Sequence, residues 1–411
     1  MTLQNYLNQK PLYYKEIDHE RVHLAYAILK PHIKQPRTLH IVGTNGKGST
    51  GCMVAHLAYS SGKWSQVIYD SSLGDKSQIT RPLSCHQASI SVGHFSSPHI
   101  LKFNERIWLN GEDTSDEILE VAHQKLFSIL GQEMSEALSY FEYTTLLAFV
   151  VFENCDLMVL EAGLGGEFDA TNVCDKELSV ITPIGIDHQA FLGETIEEIA
   201  GTKIRSIQKQ VLLAPQVYDE VAEVAKEIAE DVGADLSVCP QVNTQVDPYG
   251  LEQIAKEKGW GAYLVDNAIV ALKALDILDI KYDINDLKSL ELFGRFYQLS
   301  DNIRIDVGHN PLAAKAIEKA LTKKVVLIYN SLDDKDYTEV LSILKTKVKR
   351  VEVIAIDSQR ATTLEAIENA LQRVGLAYSH YNGTINPDEY YLVFGSFYVV
   401  EAFLKTYRSG E

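Results

Sequence analysis

The stretch Leu39-His40-Ile41-Val42-Gly43-Thr44-Asn45-Gly46-Lys47-Gly48-Ser49-Thr50 decides the fold. Leu39, Ile41 and Val42 form an apolar run rich in β-branched side chains, which reads as the end of a buried strand. Met53, Val54, Leu57 and Ala58 then recur at helical spacing, so the glycine-rich segment lies between a strand and a helix. In that setting the N–H groups of the turn and of the first helical turn converge on one anion, and the helix dipole adds attraction. Glycines let the backbone approach phosphates closely, and Lys47 supplies a point charge for the terminal ones.

The spacing is not that of the usual phosphate-binding P-loop. GxxxxGK[ST] has four residues between its glycines, whereas only Thr44 and Asn45 separate Gly43 from Gly46. Gly48 also stands where the magnesium-binding hydroxyl normally follows the lysine. Metal ligands are therefore expected elsewhere in the chain. The competing reading is a plain glycine turn with a solvated Lys47; the order strand, turn, helix favours the phosphate cradle.

Working outward, 411 residues are more than one domain's worth of core. A content of 46% hydrophobic and 23% charged residues is that of a soluble globular protein. Residues 1–18 lack a signal-peptide core, and the longest apolar run, 146–152, is too short to span a bilayer. The five cysteines have no CxxC spacing, so a reduced, cytoplasmic protein without disulfides or zinc is expected, with no membrane partner. The net charge of −18 argues against nucleic acid as a partner. The one basic cluster, Lys345, Lys347, Lys349 and Arg350, reads as solvated surface.

The expected fold class is α/β. Helical patterns are predicted over 6–29 (Val22, Ala25, Tyr26 and Leu29 on one face), 115–130 with Ser115 as N-cap, 141–152, 195–209, 218–232 and 266–278. Strands are predicted over 91–95, 103–109, 156–160 and 178–184, and 64–89 is polar and irregular. Charged residues at strand ends, with helices between, indicate a P-loop-type parallel sheet whose ligands lie at those ends. The pattern resets around 290–295. Strands at 303–307, 325–329, 351–356 and 390–394 then alternate with helices at 311–321, 337–344, 364–373 and 397–407. The expected organisation is an ATP-binding domain (1–288), a linker (289–296) and a smaller doubly wound, Rossmann-like domain (297–411).

Taken singly, Glu161 reads as a capping or surface carboxylate, His188 as a satisfied structural histidine and Lys203 as a solvated helix lysine. Together, Ser97, Glu161 and His188 each follow a predicted strand of the sheet that carries the phosphate loop. Hydroxyl, carboxylate and imidazole make a reasonable divalent-cation set beside a nucleotide phosphate.

The chain resembles the dihydrofolate synthase/folylpolyglutamate synthase group of the Mur-type ATP-dependent amide ligases. The resemblance is carried by HIVGTNGKGST (40–50), Ser96-Ser97-Pro98-His99, Phe103-Asn104-Glu105-Arg106, Tyr140-Phe141-Glu142, Leu160-Glu161-Ala162-Gly163-Leu164-Gly165-Gly166 and Phe168-Asp169-Ala170-Thr171-Asn172. It continues through Asp187-His188, Leu192-Gly193, Ile199-Ala200-Gly201 with Lys203, Gly294-Arg295-Phe296, Asp306-Val307-Gly308-His309-Asn310-Pro311, Asp334-Lys335-Asp336 and Phe394-Gly395-Ser396-Phe397. No single motif decides; the ordered set is specific.

The resemblance implies that Gly46, Lys47, Gly48 and Ser49 hold ATP phosphates and that Asn267, Arg295 and Asp306 contact the nucleotide. It implies Mg2+ at two sites, with Ser97, Glu161 and His188 as ligands and Lys203 carboxylated to a carbamate ligand. Ser139, Tyr140, Phe141, Glu142, Phe168, Asp169 and Ala170 would touch the pteridine substrate, and Lys47, Lys203 and His309 would lie at the reacting groups. Implied partners are small molecules only (dihydropteroate, reduced folates, L-glutamate and ATP), acting on a monomer. Glu167 departs from the family pattern, which has Arg after the double glycine, and 64–89 reads as an insertion. Two other functions compete. One is a ligase coupling an amino acid to a cell-wall nucleotide precursor, which the 140–142 and 168–170 matches oppose. The other is a P-loop kinase or nucleotide-binding protein, which leaves Lys203 and the second domain without a role.

Overall fold

The computed structural model describes residues 1–10, 18, 20–61, 90–239 and 249–408. The expected insertion at 64–89 lies outside the described residues. The first sheet contains β1 (Arg37–Val42), β2 (Val92–Phe95), β3 (Ile107–Leu109), β4 (Glu112–Asp113), β5 (Leu157–Glu161), β6 (Leu178–Ile181), β7 (Gln210–Leu213) and β8 (Asp235–Val238). Its order is β4-β3-β2-β5-β1-β6-β7-β8. From β2 to β8 neighbouring strands are parallel; β3 and β4 add an antiparallel edge. β1, β5 and β6 are buried along almost their whole length, as expected of parallel strands covered on both faces. Helices Lys47–Ser60 and Ala262–Ile277 pack on one face, Tyr140–Val151 on the other side of β5, and Ile196–Ile204 and Asp219–Val232 over β6 and β7.

The second sheet contains β9 (Tyr297–Ser300), β10 (Ile303–Asp306), β11 (Val325–Tyr329), β12 (Val348–Val353), β13 (Tyr378–His380) and β14 (Tyr391–Phe394), in the order β13-β12-β11-β14-β10-β9. Only β9 runs antiparallel. Its helices are Pro311–Ala320, Tyr337–Leu344, Leu364–Val374 and Phe397–Arg408.

Several expectations change. Residues 103–106 are a 3-10 turn rather than strand. The Glu105 carboxylate accepts the Ile100, Leu101 and Lys102 N–H groups at 2.7, 2.9 and 2.8 Å, which winds the chain before β3 begins. The helix expected over 195–209 ends at Ile204, where Ser206 Oγ donates to the Lys203 carbonyl at 2.9 Å. The helix from Asp116 runs on to Ala137 through a break at Gly131, whose φ is 72°. Within 6–29, the described helices are Leu3–Leu7 and Arg21–Leu29. Strands β7, β8, β9 and β13 and helix Leu251–Lys258 were not predicted. β8 and β13 lie at sheet edges with mostly exposed side chains, so no apolar run marks them.

Candidate active site

β1 lies between β5 and β6, and its C-terminal end feeds the glycine turn. Thr44 and Asn45 N–H both donate to the Pro183 carbonyl, at 3.0 and 3.1 Å, which ties the turn to the end of β6. Gly43 has φ 146°, and a side chain there would run into Thr182. Gly46, at φ 88°, caps helix Lys47–Ser60 in a left-handed conformation that disfavours other residues. The first bond of that helix is Thr50 N–H to the Gly46 carbonyl at 2.9 Å, so the amides before it lie at the open N-terminus. Asn267, buried, donates to Ser49 Oγ at 2.8 Å from helix Ala262–Ile277. Gly46 and Ser49 thus both abut Asn267.

Lys47 folds back over the turn, its Nζ 3.2 Å from the Gly43 carbonyl and 4.0 Å from Glu161 Oε1. Glu161, the last residue of β5, is buried, and burial raises its carboxyl above the usual range against the pull of Lys47 and Arg295. It accepts the Ser97 N–H at 3.3 Å. A Cβ at Gly48 would stand 3.0 Å from an Arg295 nitrogen and 3.3 Å from Glu161 Oε2. The turn, Ser97, Glu161 and Arg295 therefore share one small volume. Arg295 lies over the Phe397 ring at 5.2 Å. Asp306, buried, accepts the Phe296 and Gly308 N–H groups and the Tyr263 hydroxyl at 2.8, 2.7 and 3.1 Å, bracing the segment after Arg295.

Lys203 is buried against the turn, Nζ donating to the Gly43 carbonyl at 3.1 Å. Burial first, and Lys47 second, lower its amine to about 7. A neutral lysine amine in this position is able to add carbon dioxide.

His188, at φ 54°, turns toward a second polar cluster that joins the two sheets. Asp187 accepts Lys335 Nζ at 2.6 Å and Asn310 Nδ2 at 3.2 Å, and His309 Nε2 stands 3.6 Å away. Burial pushes the Asp187 carboxyl up, but His309, His188 and Lys335 together hold it below the carboxylate range. The His188 ring lies 3.4 Å from Lys335 Nζ and 3.9 Å from Asp334; burial lowers it to about 4. Asn45 of the glycine turn pairs with Asn310, the N-cap of helix Pro311–Ala320, so the turn contacts the segment that follows β10.

The structure thus brings Ser97 and Glu161 together beside Lys47, places Lys203 beneath the turn, and leaves His188 facing the cluster that joins the two sheets. Among the described residues no group of three or more His, Cys, Asp or Glu stands ready to hold a metal. A hard cation such as Mg2+ takes one or two carboxylates and completes its shell with phosphate oxygens and water. Glu161, buried and short of hydrogen-bond donors, is the residue that fits such an ion.

The remaining predicted residues line a neighbouring region. Ser139 caps helix Tyr140–Val151, and Glu142 accepts the Ser139 N–H at 2.6 Å in return. Arg21 holds the same Glu142 carboxylate at 2.8 Å. Tyr140 lies under the Arg106 guanidinium at 5.3 Å, and Phe141 packs on Gly163. Phe168 is 54% exposed, whereas Ala170 is buried. Asp169 is buried with both oxygens engaged: Leu164 N–H at 2.8 Å, and Thr171 N–H and hydroxyl at 3.0 and 2.6 Å. It shapes its loop instead of facing outward. Glu167, the charge reversal, stands 3.4 Å from Arg205, which supplies the cation from the adjoining helix.

Sequence reasoning missed Arg106, Arg21, Lys335 and Asp187 as site groups. Arg106, Asp187 and Lys335 fall within motifs named above, but for the last two only their meeting across 148 positions reveals a role.

No protein-family model matches the chain. The dihydrofolate synthase/folylpolyglutamate synthase of Escherichia coli (strain K12) is 30% identical over 415 residues, covering 93% of this chain and 89% of that protein. A crystal structure of Helicobacter pylori folylpolyglutamate synthetase is 37% identical, covers 99% of this chain and 98% of that one, and superposes with a TM-score of 0.74. A structure of E. coli FolC in complex with DHPP and ADP is 25% identical, covers 99% and 97%, and has a TM-score of 0.76. With a glycine turn, a buried glutamate and a buried lysine at one sheet end, and relatives of this identity along nearly its whole length, the chain belongs to the dihydrofolate synthase/folylpolyglutamate synthase family.

Proposed function

We propose that this chain uses ATP to join L-glutamate to dihydropteroate, forming dihydrofolate, and to tetrahydrofolate, extending its polyglutamate tail. The observation that supports this best is the convergence of Lys47, Glu161, Arg295 and Lys203 on one glycine turn at the end of β1 and β5.

A carboxylate does not condense with an amine in water at useful rates, because an oxide is too poor a leaving group. Transfer of the γ-phosphoryl group to the substrate carboxylate gives an acyl phosphate and ADP. Attack by the glutamate amine then forms the amide and expels inorganic phosphate, with loss of the amine's proton. Gly46, Lys47, Gly48 and Ser49 bind the phosphates, and Lys47 with Arg295 neutralises charge developing on the transferred group. Asn267 and Asp306 position the nucleotide, Asn267 from beneath the turn and Asp306 by holding the Arg295 segment. Mg2+ held by Ser97, Glu161 and His188, with carboxylated Lys203 toward a second ion, would supply charge neutralisation on phosphate oxygens. The pteridine substrate lies along Ser139, Tyr140, Phe141 and Glu142 and against the loop of Phe168, Asp169 and Ala170. His309, beside Asp187, orients the incoming glutamate side.

The reading divides the chain into an ATP-binding unit (1–288), a linker (289–296) and a second unit (297–411) that closes over the site. It also takes the protein to act as a cytoplasmic monomer on small molecules, without nucleic acid or membrane. Among the described residues no helix is long and apolar enough to cross a membrane. The deciding experiment measures phosphate release from ATP with dihydropteroate, with tetrahydrofolate and with neither, each with and without L-glutamate. Release that depends on both a folate and glutamate is expected; release independent of both removes the reading.

A further inference from the structure

Beneath the loop that carries Phe168 runs a buried chain of three polar groups that starts on the phosphate-loop strand. His40, in the middle of β1, is fully buried, and its Nε2 lies 2.8 Å from Thr171 Oγ1. Thr171, also fully buried, gives its one hydroxyl proton to Asp169 Oδ1 at 2.6 Å. Its oxygen can therefore only accept from His40, which fixes the proton on Nε2. Nδ1 is then a bare acceptor, and among the described residues it has no partner.

What this chain holds is an exacting piece of backbone. Asp169 Oδ2 takes the Leu164 N–H at 2.8 Å, closing the loop on itself. The loop then lies on the helix of Lys203: Glu167 N–H donates to the Thr202 carbonyl at 2.9 Å, and a side chain at Gly166 would collide with the Lys203 carbonyl. Any shift of Asp169 is thus passed to Phe168 on one side and to the Lys203 backbone on the other. A leucine or valine would fill the His40 position of an apolar parallel strand without leaving a buried nitrogen unpaired.

Building on the folate reading of the site, we infer that His40 is a positioning residue for the pteroate-side loop, acting through Thr171 and Asp169. It donates one hydrogen bond that keeps the Thr171 hydroxyl aimed at Asp169, and so sets where Phe168 meets the substrate. The phosphate loop, on the same strand but held by Pro183 and Asn267, does not depend on that bond.

The test compares His40→Leu, which removes the donor, with His40→Gln, which carries an N–H to nearly the same place. Steady-state KM is measured separately for dihydropteroate and for ATP. His40→Leu should raise the dihydropteroate KM about tenfold with the ATP KM within about twofold, and His40→Gln should return most of the loss. Equal increases in both KM values, no change in either, or a Gln variant as poor as Leu would each overturn the inference. If His40→Leu does not fold, Thr171→Val against Thr171→Ser poses the same question one link along, with the same split expected. Wild-type protein with no glutamate-dependent turnover of dihydropteroate sinks the functional reading itself; wild-type turnover with unaltered variants sinks only the positioning role.

Discussion

Two loops leave adjacent strands of the first sheet and end within reach of each other, yet they are built on opposite plans. The turn after β1 is made of backbone: glycines at φ 146° and 88°, amides at a helix start, and a lysine whose hydrogen bonds go to carbonyls of its own turn. The loop after β5 is held by side chains: Asp169 takes the Thr171 hydroxyl and the Leu164 N–H, Asn172 Nδ2 donates to the Glu167 carbonyl, and His40 reaches Thr171 from β1. The two buried carboxylates show the difference most sharply. Glu161 and Asp169 are both pushed above the usual carboxyl range by burial. Asp169 has spent both oxygens on its loop, while Glu161 accepts one amide at 3.3 Å and otherwise faces cations. Whether a buried carboxylate serves chemistry or architecture depends here on how many of its oxygens are already committed.

That contrast is most exposed to failure at Lys47. Lys47→Ala should lower kcat by roughly 10³-fold, a typical loss for a group that stabilises transition-state charge, with an unchanged melting curve. Activity near wild type would show the turn to be an ordinary connection. Glu161→Ala should act at the same scale and also raise the Mg2+ concentration needed for half-maximal rate, measured by titrating the metal. A metal dependence that moves only in Ser49→Ala would overturn the assignment of the cation to Glu161.

Lys203 comes next. Lys203→Ala should lose about 10²-fold in rate, and acetate should restore part of it by occupying the vacated space. The sign of the pH effect follows from its amine, lowered to about 7 by burial and then by Lys47. Raising the pH through that value leaves the amine neutral and free to form a carbamate, so the wild-type rate should rise across it. Added bicarbonate should steepen the rise. A rate that falls over the same interval would contradict the assignment.

Asp169 tests the architectural side. Asp169→Asn removes an acceptor from a buried network, a loss of about 1–3 kcal/mol of stability, readable by chemical denaturation. Its kcat at saturating substrate should stay within about tenfold of wild type, unlike Glu161→Ala. Equal damage to rate from both substitutions would erase the distinction between the loops. The smallest expected signal is in scattering: ATP, Mg2+ and dihydropteroate together should lower the radius of gyration slightly as the two units close. Identical curves with and without them would argue that the Asn45–Asn310 and Asp187–Lys335 contacts are permanent.

The backbone-built loop was the legible one. Its glycines, lysine and flanking strand and helix are consecutive, so periodicity and composition alone mark it. Glu161 was visible for a similar reason, as a charge closing an apolar strand. The side-chain-built loop was not, because His40 and Thr171 are 131 positions apart, and within β1 a histidine reads simply as one more strand residue. The same distance problem hid the Asp187–Lys335 pair. Edge strands β8 and β13 escaped for want of an apolar face, and the 3-10 turn at 103–106 because Glu105's three hydrogen bonds leave no periodic trace.

Among the described residues the first sheet ends at β4, a strand of two exposed residues, Glu112 and Asp113. An open sheet edge is a template on which a second copy can extend the ladder, the first step toward aggregation and domain swapping. Here the template is too short to seat an incoming strand, and its two carboxylates repel their own image in any like copy. Trp108 and Leu109 of β3 pair with Asp113 and Glu112, so the acidic pair takes the edge in their place. On a chain of net charge −18, both the shortness of this border and its charge oppose edge-to-edge pairing.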